Sequence, residues 1–431
     1  MSMKPFTPLF GLPLGISSTF WYLMGLMRFI SERISQLKDK KKQVKKNKYK
    51  KSDIAAVVAA YNEELVIRKC VQSLRLSLSA RQIYVVSDGS TDKTYRRARM
   101  EGVHVSKLLP GLGKAKALVY TISRYKLFEN YKFIFIVDAD TQIDRNFVRL
   151  ALPLFEDKQI SVVFGSALIN WPKHILPKLK FYYVAYRERL NRMLQYFFIY
   201  GQTWKKTNVN YVIPGFATIY RCRILKKLPI DTPGLLIEDF NTAFQLHKKH
   251  LGKIGYNPQC IGWDQHPETL SDYWRQVKRW NIGFFQTIRL NGVWPSFFWL
   301  SLFIFTLEVF LNSIFILTLP LLIIFLISPY LANVVPQLAA FSQFYQSFGP
   351  YKNVALSNLI VYFFIIDYGL TIVIGLIYKK PQFIIYGLFF FFMHYMTSLI
   401  LMSSLIPGFF SSSSGRWISP TRSKDQMSVK M

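Results

Sequence analysis

The fold is decided by residues 133–141, which read FIFIVDADT. Five consecutive apolar residues are typical of a strand that is buried on both faces, as in a parallel sheet. The run ends directly in Asp-Ala-Asp-Thr, which places two carboxylates at the end of the predicted strand. Four further short apolar runs are predicted to be strands, and they cover residues 54–60, 82–87, 103–105 and 161–165.

Stretches of helical periodicity separate these runs, and they lie at about residues 64–78, 92–100, 114–127 and 144–156. Alternating strands and helices predict an α/β domain with a parallel sheet and right-handed connections. Ligands of such sheets bind beyond the carboxyl ends of the strands. The residues that follow each strand are therefore the first candidates for a functional site.

Carboxylates are concentrated at these strand ends and at the start of a later predicted helix. They are Glu63, Asp88, Asp138, Asp140, Glu238 and Asp239. Carboxylates gathered at one sheet edge repel each other unless a cation lies among them. A divalent metal with phosphate groups fits, because Mg²⁺ and Mn²⁺ take oxygen ligands and are often held by one or two carboxylates plus phosphates. Each motif taken singly is also compatible with a turn or a helix cap.

The composition is both basic and apolar. The 431 residues include 55 Lys and Arg against 24 Asp and Glu, and 51% of the residues are hydrophobic. This excludes a disordered, collagen-like or coiled-coil chain, and three separated cysteines form neither a disulfide framework nor a metal cluster. A membrane protein with a positive cytoplasmic side is favoured. Nucleic-acid binding is disfavoured, because the lysine run 38–51 has almost no interleaved aromatic residues and no nucleic-acid-binding module is recognised.

Four apolar blocks are long enough to cross about 30 Å of hydrocarbon, and they cover residues 6–30, 297–327, 356–378 and 382–403. The predicted organisation is an N-terminal transmembrane anchor (1–31), a basic juxtamembrane linker (32–52), an α/β domain (53–267), an interfacial helix (268–296), a transmembrane bundle of about three spans (297–404) and a C-terminal tail (405–431). Three spans after a cytoplasmic domain leave the basic tail outside, which conflicts with the positive-inside rule. The conflict is removed if one more crossing or re-entrant segment exists, for instance in residues 328–350.

Residues 276–280 read QVKRW. This motif, together with the carboxylates above in their order along the chain, resembles the membrane-integrated family-2 glycosyltransferases, whose Gln-x-x-Arg-Trp it matches. These are the processive polysaccharide synthases, which include cellulose, chitin-oligosaccharide, hyaluronan and poly-N-acetylglucosamine synthases. The resemblance covers about residues 53–290 by motif. It implies a GT-A type, Rossmann-like nucleotide-sugar domain and α-helical transmembrane segments.

The resemblance also implies a binding site for the sugar donor. Tyr61, Glu63 and Asp88 look like the pocket for the nucleotide base and the ribose. Lys114 resembles the family lysine near the diphosphate, where a point charge suits phosphate oxygens. A UDP-sugar is therefore the implied donor, with UDP-N-acetylglucosamine and UDP-glucose as the leading choices.

The chemistry implied by the resemblance needs a metal and a base. Asp138 and Asp140 resemble the Asp-x-Asp pair that binds the nucleotide sugar and Mg²⁺ or Mn²⁺, with Asp140 as the more direct metal ligand. Asp239 matches the carboxylate that acts as general base for the acceptor hydroxyl. The acceptor and the leaving diphosphate would be held by Glu238, Gln276, Arg279 and Trp280.

The implied activity is inverting transfer to a growing polysaccharide or oligosaccharide through a β-linkage, coupled to export of the product. The implied location is the plasma membrane, with several membrane crossings, contact with membrane lipids, a cytoplasmic catalytic domain and no nucleic-acid partner. Two alternatives stay open. One is a non-processive transferase that adds a single sugar to a lipid carrier, and the other is a non-catalytic membrane scaffold that senses nucleotide sugars.

Three positions depart from the family pattern. Ile237 stands where the family usually has Thr, and Phe216 interrupts a small-residue stretch that lines the acceptor site, which bears on the identity of the acceptor. Residues 416–422 only loosely resemble a segment that closes over the site in some members. The apolar blocks also contain the ionisable residues Glu308, Asp367 and His394. Such residues either face a product channel or pair between helices and fix the bundle.

Overall fold

The computed structural model describes residues 48–169, 182–196, 207–265, 269–347 and 367–413, together with Met27, Ile30, Ser31, Ile34 and Pro267. Most of the predicted N-terminal anchor, most of the lysine run, residues 356–366 and residues 416–422 lie outside the described residues. The chain forms two compact units. The described residues of the first unit are 48–169, 190–196, 207–304 and 403–413, and those of the second are 182–189, 305–347 and 367–402.

The first unit is built on a sheet of eight strands. These are β1 (Ile54–Ala60), β2 (Ile83–Asp88), β3 (His104–Leu108), β4 (Phe133–Val137), β5 (Gln142–Ile143), β6 (Ile160–Ile169), β7 (Ala217–Arg221) and β8 (Lys253–Asp264). Their spatial order is β3-β2-β1-β4-β7-β6-β8-β5. The five predicted strands are confirmed, and β1 pairs in parallel with β2 and β4, as β2 does with β3.

The prediction that the whole sheet is parallel is wrong for the half that contains β5, β6, β7 and β8. β7 runs antiparallel between β4 and β6, and β5 runs antiparallel to β8, while β6 and β8 are parallel. β7 and β8 come from the region in which the sequence has no clean alternation of strands and helices. The sequence of β8, KIGYNPQCIGWD, contains Gly and Pro at intervals, and these residues interrupt the apolar run that identifies a buried strand.

The helices of both units follow in chain order. They are α1 (Ile67–Arg75), α2 (Thr94–Arg99), α3 (Lys114–Arg124), α4 (Leu127–Asn130), α5 (Phe147–Ala151), α6 (Tyr182–Tyr196), α7 (Cys222–Leu225), α8 (Glu238–Lys248), α9 (Leu270–Asn291), α10 (Phe297–Leu331), α11 (Leu338–Ser347), α12 (Asp367–Ile377), α13 (Gln382–Gly387) and α14 (Phe390–Phe410). Short 3₁₀ helices cover Lys51–Asp53, Ala80–Gln82 and Leu152–Glu156. The four predicted helical stretches before residue 160 correspond to α1, α2, α3 with α4, and α5 with its 3₁₀ extension.

The core of the first unit lies on both faces of the central strands. Every residue of β1, β2, β4 and β7 is buried. Aromatic side chains fill the space beneath the sheet, for example Phe135, whose ring centroid lies 5.0 Å from that of Phe147. Because both faces are covered, only the ends of these strands are open to ligands.

Two helices of the described residues are long and apolar enough to cross a membrane. They cover Phe297–Leu321 of α10 and Phe390–Phe410 of α14, and only 28% of each apolar window is buried. Exposed side chains on α10 include Leu300 and Phe303. The shorter apolar helix α12 falls in the predicted block 356–378, whose first half lies outside the described residues. Burial of such apolar surface in lipid would remove it from water.

A buried group of polar side chains connects α6, α12 and α14 in the second unit. Arg189 donates to Asp367 Oδ1 at 2.8 Å and to Thr371 Oγ1 at 2.7 Å. His394 Nε2 lies 3.4 Å from Asp367 Oδ2, and His394 Nδ1 lies 3.1 Å from the Tyr186 hydroxyl. We call these five residues the Arg189 cluster. For Asp367 and His394, pairing between helices is thus the interpretation that the structure favours over facing a channel.

Candidate active site

The predicted site residues lie at the carboxyl ends of β1, β2 and β4. β1 lies between β2 and β4 with parallel pairing, so the three strands end at the same edge of the sheet. Antiparallel pairing of Val137 with Ala217 brings the residues just before β7 to this edge as well. The Asp138 N–H donates to the Phe216 carbonyl at 3.1 Å.

Lys114, the first residue of α3, lies among carboxylates at this edge. Its Nζ is 2.9 Å from Asp138 Oδ1 and 2.8 Å from Glu238 Oε1. Its side chain is 19% exposed, while those of Asp138 and Glu238 are 31% and 16% exposed. We call Lys114, Asp138, Glu238 and the neighbouring Asp239 the Lys114 cluster. The structure therefore brings together residues from three of the motifs that the sequence singled out.

Asp239 is held by backbone groups that precede β7. Its Oδ2 accepts a hydrogen bond from the Gly215 N–H at 3.0 Å, and its own carbonyl accepts one from the Ile213 N–H at 3.2 Å. A Cβ atom on Gly215 would lie 2.7 Å from Lys114 Nζ and 2.9 Å from Asp239 Oδ1. Only glycine allows this approach of the backbone to both side chains. The sequence signal for it is the pair Pro214-Gly215, which belongs to the small-residue stretch noted above, although no contact of Gly215 with Asp239 was predicted.

The two aspartates of the cluster are hard to ionise. Burial, followed by the negative charge of Glu238, raises the pKa of Asp239 from its usual 3.8 to about 7, although Lys114 and the Gly215 N–H oppose this. Burial also raises the pKa of Asp138, against the attraction of Lys114 and with the repulsion of Asp140. A carboxyl with a pKa near 7 can accept a proton at neutral pH, which is the property that a general base needs.

The other two members of the cluster form its ion pair. Burial alone would raise the pKa of Glu238, but the adjacent Lys114 ammonium holds it below its usual value. Burial would lower the pKa of Lys114, but Asp138, Glu238 and Asp239 together raise it well above its usual value. Lys114 is therefore charged at neutral pH and is shared by more carboxylates than it can neutralise.

An open cavity of about 230 Å³ adjoins Lys114. It is lined by Ala59, Ala60, Tyr61, Asp88, Gly89, Pro110, Gly111, Gly113 and Lys114. Two of its walls come from predicted donor-site residues, Tyr61 and Asp88. The loop of residues 109–113 forms a third wall, and the sequence analysis assigned no role to this loop.

Asp88 lines this cavity, whereas Glu63 does not. Both Asp88 carboxylate oxygens accept backbone hydrogen bonds, from the Leu112 N–H at 2.6 Å and the Gly113 N–H at 2.8 Å. Asp88 thus fixes the loop as well as lining the cavity. Glu63 is 0% exposed and does not line the cavity, and its N–H donates to Thr94 Oγ1 at 2.8 Å. Its assignment to the donor pocket stays a prediction.

The QVKRW motif lies on α9, which packs against the segment that leads into the cluster. A Cβ atom on Gly283 would lie 3.1 Å from Ile237 Cβ, so Ile237 packs directly on the backbone of α9. This contact gives a packing reason for Ile at the position where the family usually has Thr. Burial lowers the pKa of Arg279, while the carboxylates of Glu238, Asp138, Asp239 and Asp140 act in the opposite direction. Gln276 and Trp280 are partly buried on the same helix.

The Phe216 side chain packs in the core of the first unit. It is 8% exposed and lies on Gly262, where an added Cβ would lie 2.9 Å from Phe216 Cε2. Its effect on the identity of the acceptor stays a prediction. The Phe216 carbonyl contributes to the site through the hydrogen bond from Asp138.

The donor set at this edge fits a hard divalent cation. Asp138 and Asp140 flank a single residue and offer only oxygen atoms, which suits Mg²⁺ or Mn²⁺. Burial first, and then the repulsion of neighbouring carboxylates, raises the pKa of Asp138 and of Asp239, and a bound cation would act against both shifts. Within the described residues, no group of three or more His, Cys, Asp or Glu could hold a metal. Phosphate oxygens of a ligand would then complete the coordination.

Helix α1 supports the loop that carries Asp138 and Asp140. Motif reasoning missed this contribution. The Cys70 thiol donates to the Asp138 carbonyl at 3.5 Å. Ser73 Oγ accepts from the Ile143 N–H at 3.0 Å and donates to the Cys70 carbonyl at 2.7 Å. Both residues are fully buried, so their pattern in the sequence is that of an ordinary core helix.

The family described as "Glycosyltransferase like family 2" matches residues 52–283. This range contains the sheet, the Lys114 cluster, the cavity and the QVKRW motif. The match agrees with the GT-A type, Rossmann-like α/β domain that the sequence predicts.

Curated relatives include poly-beta-1,6-N-acetyl-D-glucosamine synthases from two staphylococci. The protein from Staphylococcus epidermidis is 25% identical over 252 residues, which cover 56% of this chain and 57% of that protein. The protein from Staphylococcus aureus (strain COL) is 24% identical over 286 residues, which cover 63% of this chain and 66% of that protein. The chain thus spans less than two thirds of the length of these relatives.

Solved structures with a similar fold include two transferases. A mannosyltransferase from Pyrobaculum calidifontis in complex with GDP-Man and Mn²⁺ has a TM-score of 0.49 and 16% identity, and the match covers 91% of this chain and 97% of that chain. Glucosyl-3-phosphoglycerate synthase from Mycobacterium tuberculosis in complex with Mn²⁺, uridine diphosphate and phosphoglyceric acid has a TM-score of 0.37 and 16% identity, over 57% and 80% of the two chains.

Proposed function

The chain belongs to glycosyltransferase-like family 2, and we propose that it is a membrane-integrated polysaccharide synthase that transfers a sugar from a UDP-sugar with inversion. The observation that carries the proposal is the Lys114 cluster beside the cavity. It combines a charged lysine, a carboxyl with a pKa raised to about 7 and an Asp-x-Asp loop at one edge of a sheet. A sensor or scaffold needs no such base.

In this proposal the nucleoside occupies the cavity between Tyr61 and the loop of residues 109–113. Lys114 lines the cavity and also contacts Asp138 and Glu238. A diphosphate in the cavity would attract the Lys114 ammonium. Part of its present contact with Asp138 would then be exchanged for contact with phosphate oxygens.

Asp138 and Asp140 would hold Mg²⁺ or Mn²⁺ together with the donor phosphates. When bound, the ion supplies Lewis-acid stabilisation of the negative charge on the leaving diphosphate. Arg279 of α9 lies within electrostatic range of the same carboxylates and adds a second fixed positive charge besides Lys114. Gln276 and Trp280, which share its helix, are proposed to bind the acceptor.

Asp239 is the proposed general base. Its carboxylate takes the proton of the acceptor hydroxyl, and the oxygen attacks the anomeric carbon from the face opposite the leaving group. Such a displacement inverts the anomeric centre, so an α-linked donor gives a β-glycoside. The Gly215 N–H holds the carboxylate in place through Oδ2. Oδ1 is then the atom proposed to accept the proton.

The acceptor is proposed to be a growing polysaccharide. The matched poly-beta-1,6-N-acetyl-D-glucosamine synthases make UDP-N-acetylglucosamine the first donor to test, with UDP-glucose second. The proposed location is a membrane, with the catalytic unit on the cytoplasmic side and the product exported. The two long apolar helices and their exposed Leu and Phe side chains support the membrane assignment.

The contacts at the end of α14 help to decide how many times the chain crosses the membrane. Ser411 accepts hydrogen bonds from Gln286 and Arg289, and Ser413 donates to Gly234. These contacts are made with the catalytic unit itself, so residues 411–413 would lie on its side of the membrane. An even number of crossings between residues 291 and 411 fits this arrangement better than three.

Sugar transfer in membranes that contain the overexpressed chain tests the proposal. Labelled UDP-sugars are supplied one at a time with Mg²⁺ or Mn²⁺, and products are sized on gels. A long polymer from one donor, lost on adding EDTA and absent with Asp140→Asn, is the expected result. Single-sugar lipid products would favour the non-processive alternative. Transfer that persists without any divalent cation would contradict the proposed metal site.

A further inference from the structure

The C-terminal half of α9 contacts two segments that are far apart in the sequence. Gln286 Oε1 accepts a hydrogen bond from the Leu236 N–H at 2.9 Å, in the loop that leads into Glu238 and Asp239. The amide nitrogen of the same side chain donates to the Ser411 carbonyl at 3.3 Å, just beyond the end of α14. A single side chain therefore connects the loop before the proposed base to the end of an apolar helix.

Arg289, one turn further along α9, binds the same end of α14. Its Nη1 donates to the Phe409 carbonyl at 2.7 Å and its Nη2 donates to the Ser411 carbonyl at 3.1 Å. A cationic side chain is favourable at these carbonyls, because the last turn of a helix leaves them without partners and carries partial negative charge. The Ser413 N–H completes the contact by donating to the Gly234 carbonyl at 3.2 Å.

The loop between Gly234 and Ile237 is thereby restrained from two directions. Ile237 packs on the backbone of α9 at Gly283, and Leu236 is hydrogen-bonded to Gln286. Gly234 is paired with the segment that follows α14. Gln286 is 1% exposed, and both polar atoms of its amide are used, so no solvent group replaces either contact when the side chain is changed.

We propose that Gln286 and Arg289 are positioning residues that couple the end of α14 to the placement of Asp239. They do not touch the reacting atoms; they act through the loop that ends at Glu238. A shift of the end of α14 is transmitted to Leu236 and Gly234, and from there to the first turn of α8. The inference rests on the proposed role of Asp239 as the general base.

The test uses the full chain in lipid nanodiscs and four variants. Gln286→Leu removes both contacts, whereas Gln286→Glu keeps an acceptor for the Leu236 N–H and loses the donor to Ser411. Arg289→Ala releases the end of α14. Thr287→Val is the matched control, because Thr287 is equally buried on the same helix but its hydroxyl bonds only to the Gly283 carbonyl. Hydrogen–deuterium exchange of the peptide 233–240, sugar-transfer kinetics and UDP affinity are measured for each.

Gln286→Leu is expected to speed hydrogen–deuterium exchange in peptide 233–240 by at least about tenfold. It is also expected to lower kcat on the order of tenfold to a hundredfold, because small displacements of a catalytic group have effects of this size. UDP affinity should stay within about twofold, because the cavity lies at other residues. Gln286→Glu and Arg289→Ala should speed exchange mainly in peptide 408–413, with a smaller loss of kcat. Thr287→Val should match the wild type.

Unchanged exchange in peptide 233–240 for Gln286→Leu would overturn the coupling, whatever the activity does. A loss of kcat that Thr287→Val shares, or that a parallel loss of UDP affinity accompanies, would also overturn it and indicate a general structural role. A wild-type chain that transfers no sugar would count against the proposed function. The exchange data would then still decide whether the end of α14 controls the loop.

Discussion

Two buried clusters of opposite charges, the Lys114 cluster and the Arg189 cluster, differ in how well their charges are balanced. In the Arg189 cluster one guanidinium faces one carboxylate, and His394, Thr371 and Tyr186 take part in further hydrogen bonds. In the Lys114 cluster one ammonium is shared by three carboxylates, with Asp140 close by. The first cluster thus pairs one Arg with one Asp, and the second has an excess of carboxylates.

This difference separates a structural cluster from a candidate active site. Balanced buried charges hold helices together and need no ligand. Unbalanced carboxylates beside an open cavity keep raised pKa values until a cation or a reaction relieves them, and such groups are concentrated at functional sites. The comparison also explains why ionisable residues in apolar helices do not by themselves indicate a product channel.

The largest expected effect comes from Asp239→Asn. Loss of the base should lower sugar transfer by about 10³-fold or more, since a positioned base contributes roughly 10² to 10⁴ in rate. Asparagine can still accept the hydrogen bond from Gly215, so UDP affinity should be preserved. Transfer assays and UDP titration on the same preparation check this. Activity within tenfold of the wild type would remove Asp239 from the mechanism.

Lys114→Met should unbalance the Lys114 cluster further. We expect transfer to fall on the order of 10²-fold, because the diphosphate loses its point charge, and stability at pH 8 to fall by about 3 kcal/mol, because partly buried carboxylates lose their partner. The stability loss should be smaller at pH 5.5, where Asp239 is protonated. Denaturation at both pH values measures this. Equal losses of stability at pH 8 and at pH 5.5 would show that the carboxylates do not cause the instability.

Gly215→Ala tests how closely the backbone must approach the cluster. The new Cβ would lie 2.7 Å from Lys114 Nζ and 2.9 Å from Asp239 Oδ1, so at least one of these groups must move. A loss of kcat on the order of tenfold to a hundredfold is expected, with little change in UDP affinity. Gly369→Ala is the control, since nothing lies within 4 Å of its Cβ position and its φ is not positive. Equal losses in both variants would contradict the argument.

The pH dependence should report Asp239 directly. Its pKa of about 7 predicts that kcat/KM rises about tenfold per pH unit below pH 7 and then levels off, because only the ionised carboxylate accepts a proton. The raised pKa also means that the folded protein retains a proton that the unfolded chain has lost between pH 4 and 7. Stability therefore falls as the pH rises through this interval.

Asp239→Asn should remove this fall in stability. The variant should gain stability over the wild type on the order of 2 kcal/mol, and the gain should grow from pH 4 to pH 7 and stay constant above. Thermal unfolding across this range is the measurement. A gain that is independent of pH would show that the carboxyl has an ordinary pKa.

The smallest effect is expected for paired replacement in the Arg189 cluster. Arg189→Leu or Asp367→Leu alone leaves one buried charge without its partner and should cost about 3–5 kcal/mol. The double variant removes both charges and should be close to the wild type in stability and in sugar transfer. Unfolding and transfer assays in lipid check both. A double variant that is stable but does not transfer sugar would assign this cluster a functional role.

The parallel half of the sheet and the order of the site motifs could be predicted from the amino-acid sequence. Continuous apolar runs such as residues 133–137 have one structural solution, a strand covered on both faces, and the acids after them must then share one edge. The helix at residues 270–291 and the apolar helix α10 follow from periodicity and composition in the same way, whereas the predicted block 382–403 is divided between α13 (Gln382–Gly387) and α14 (Phe390–Phe410).

The groups that surround Asp239 could not be predicted in this way, because they come from elements that are brought together by packing. Gly215 reaches it because β7 pairs antiparallel with β4, and the short strand β7 carries no periodic signal of that pairing. The core position of Phe216 also depends on contacts between elements that are distant in the sequence. The same is true of the link that Gln286 makes between two distant segments. A pattern along the chain reports which face of its own element a residue occupies, whereas contacts between elements depend on packing that no local pattern encodes.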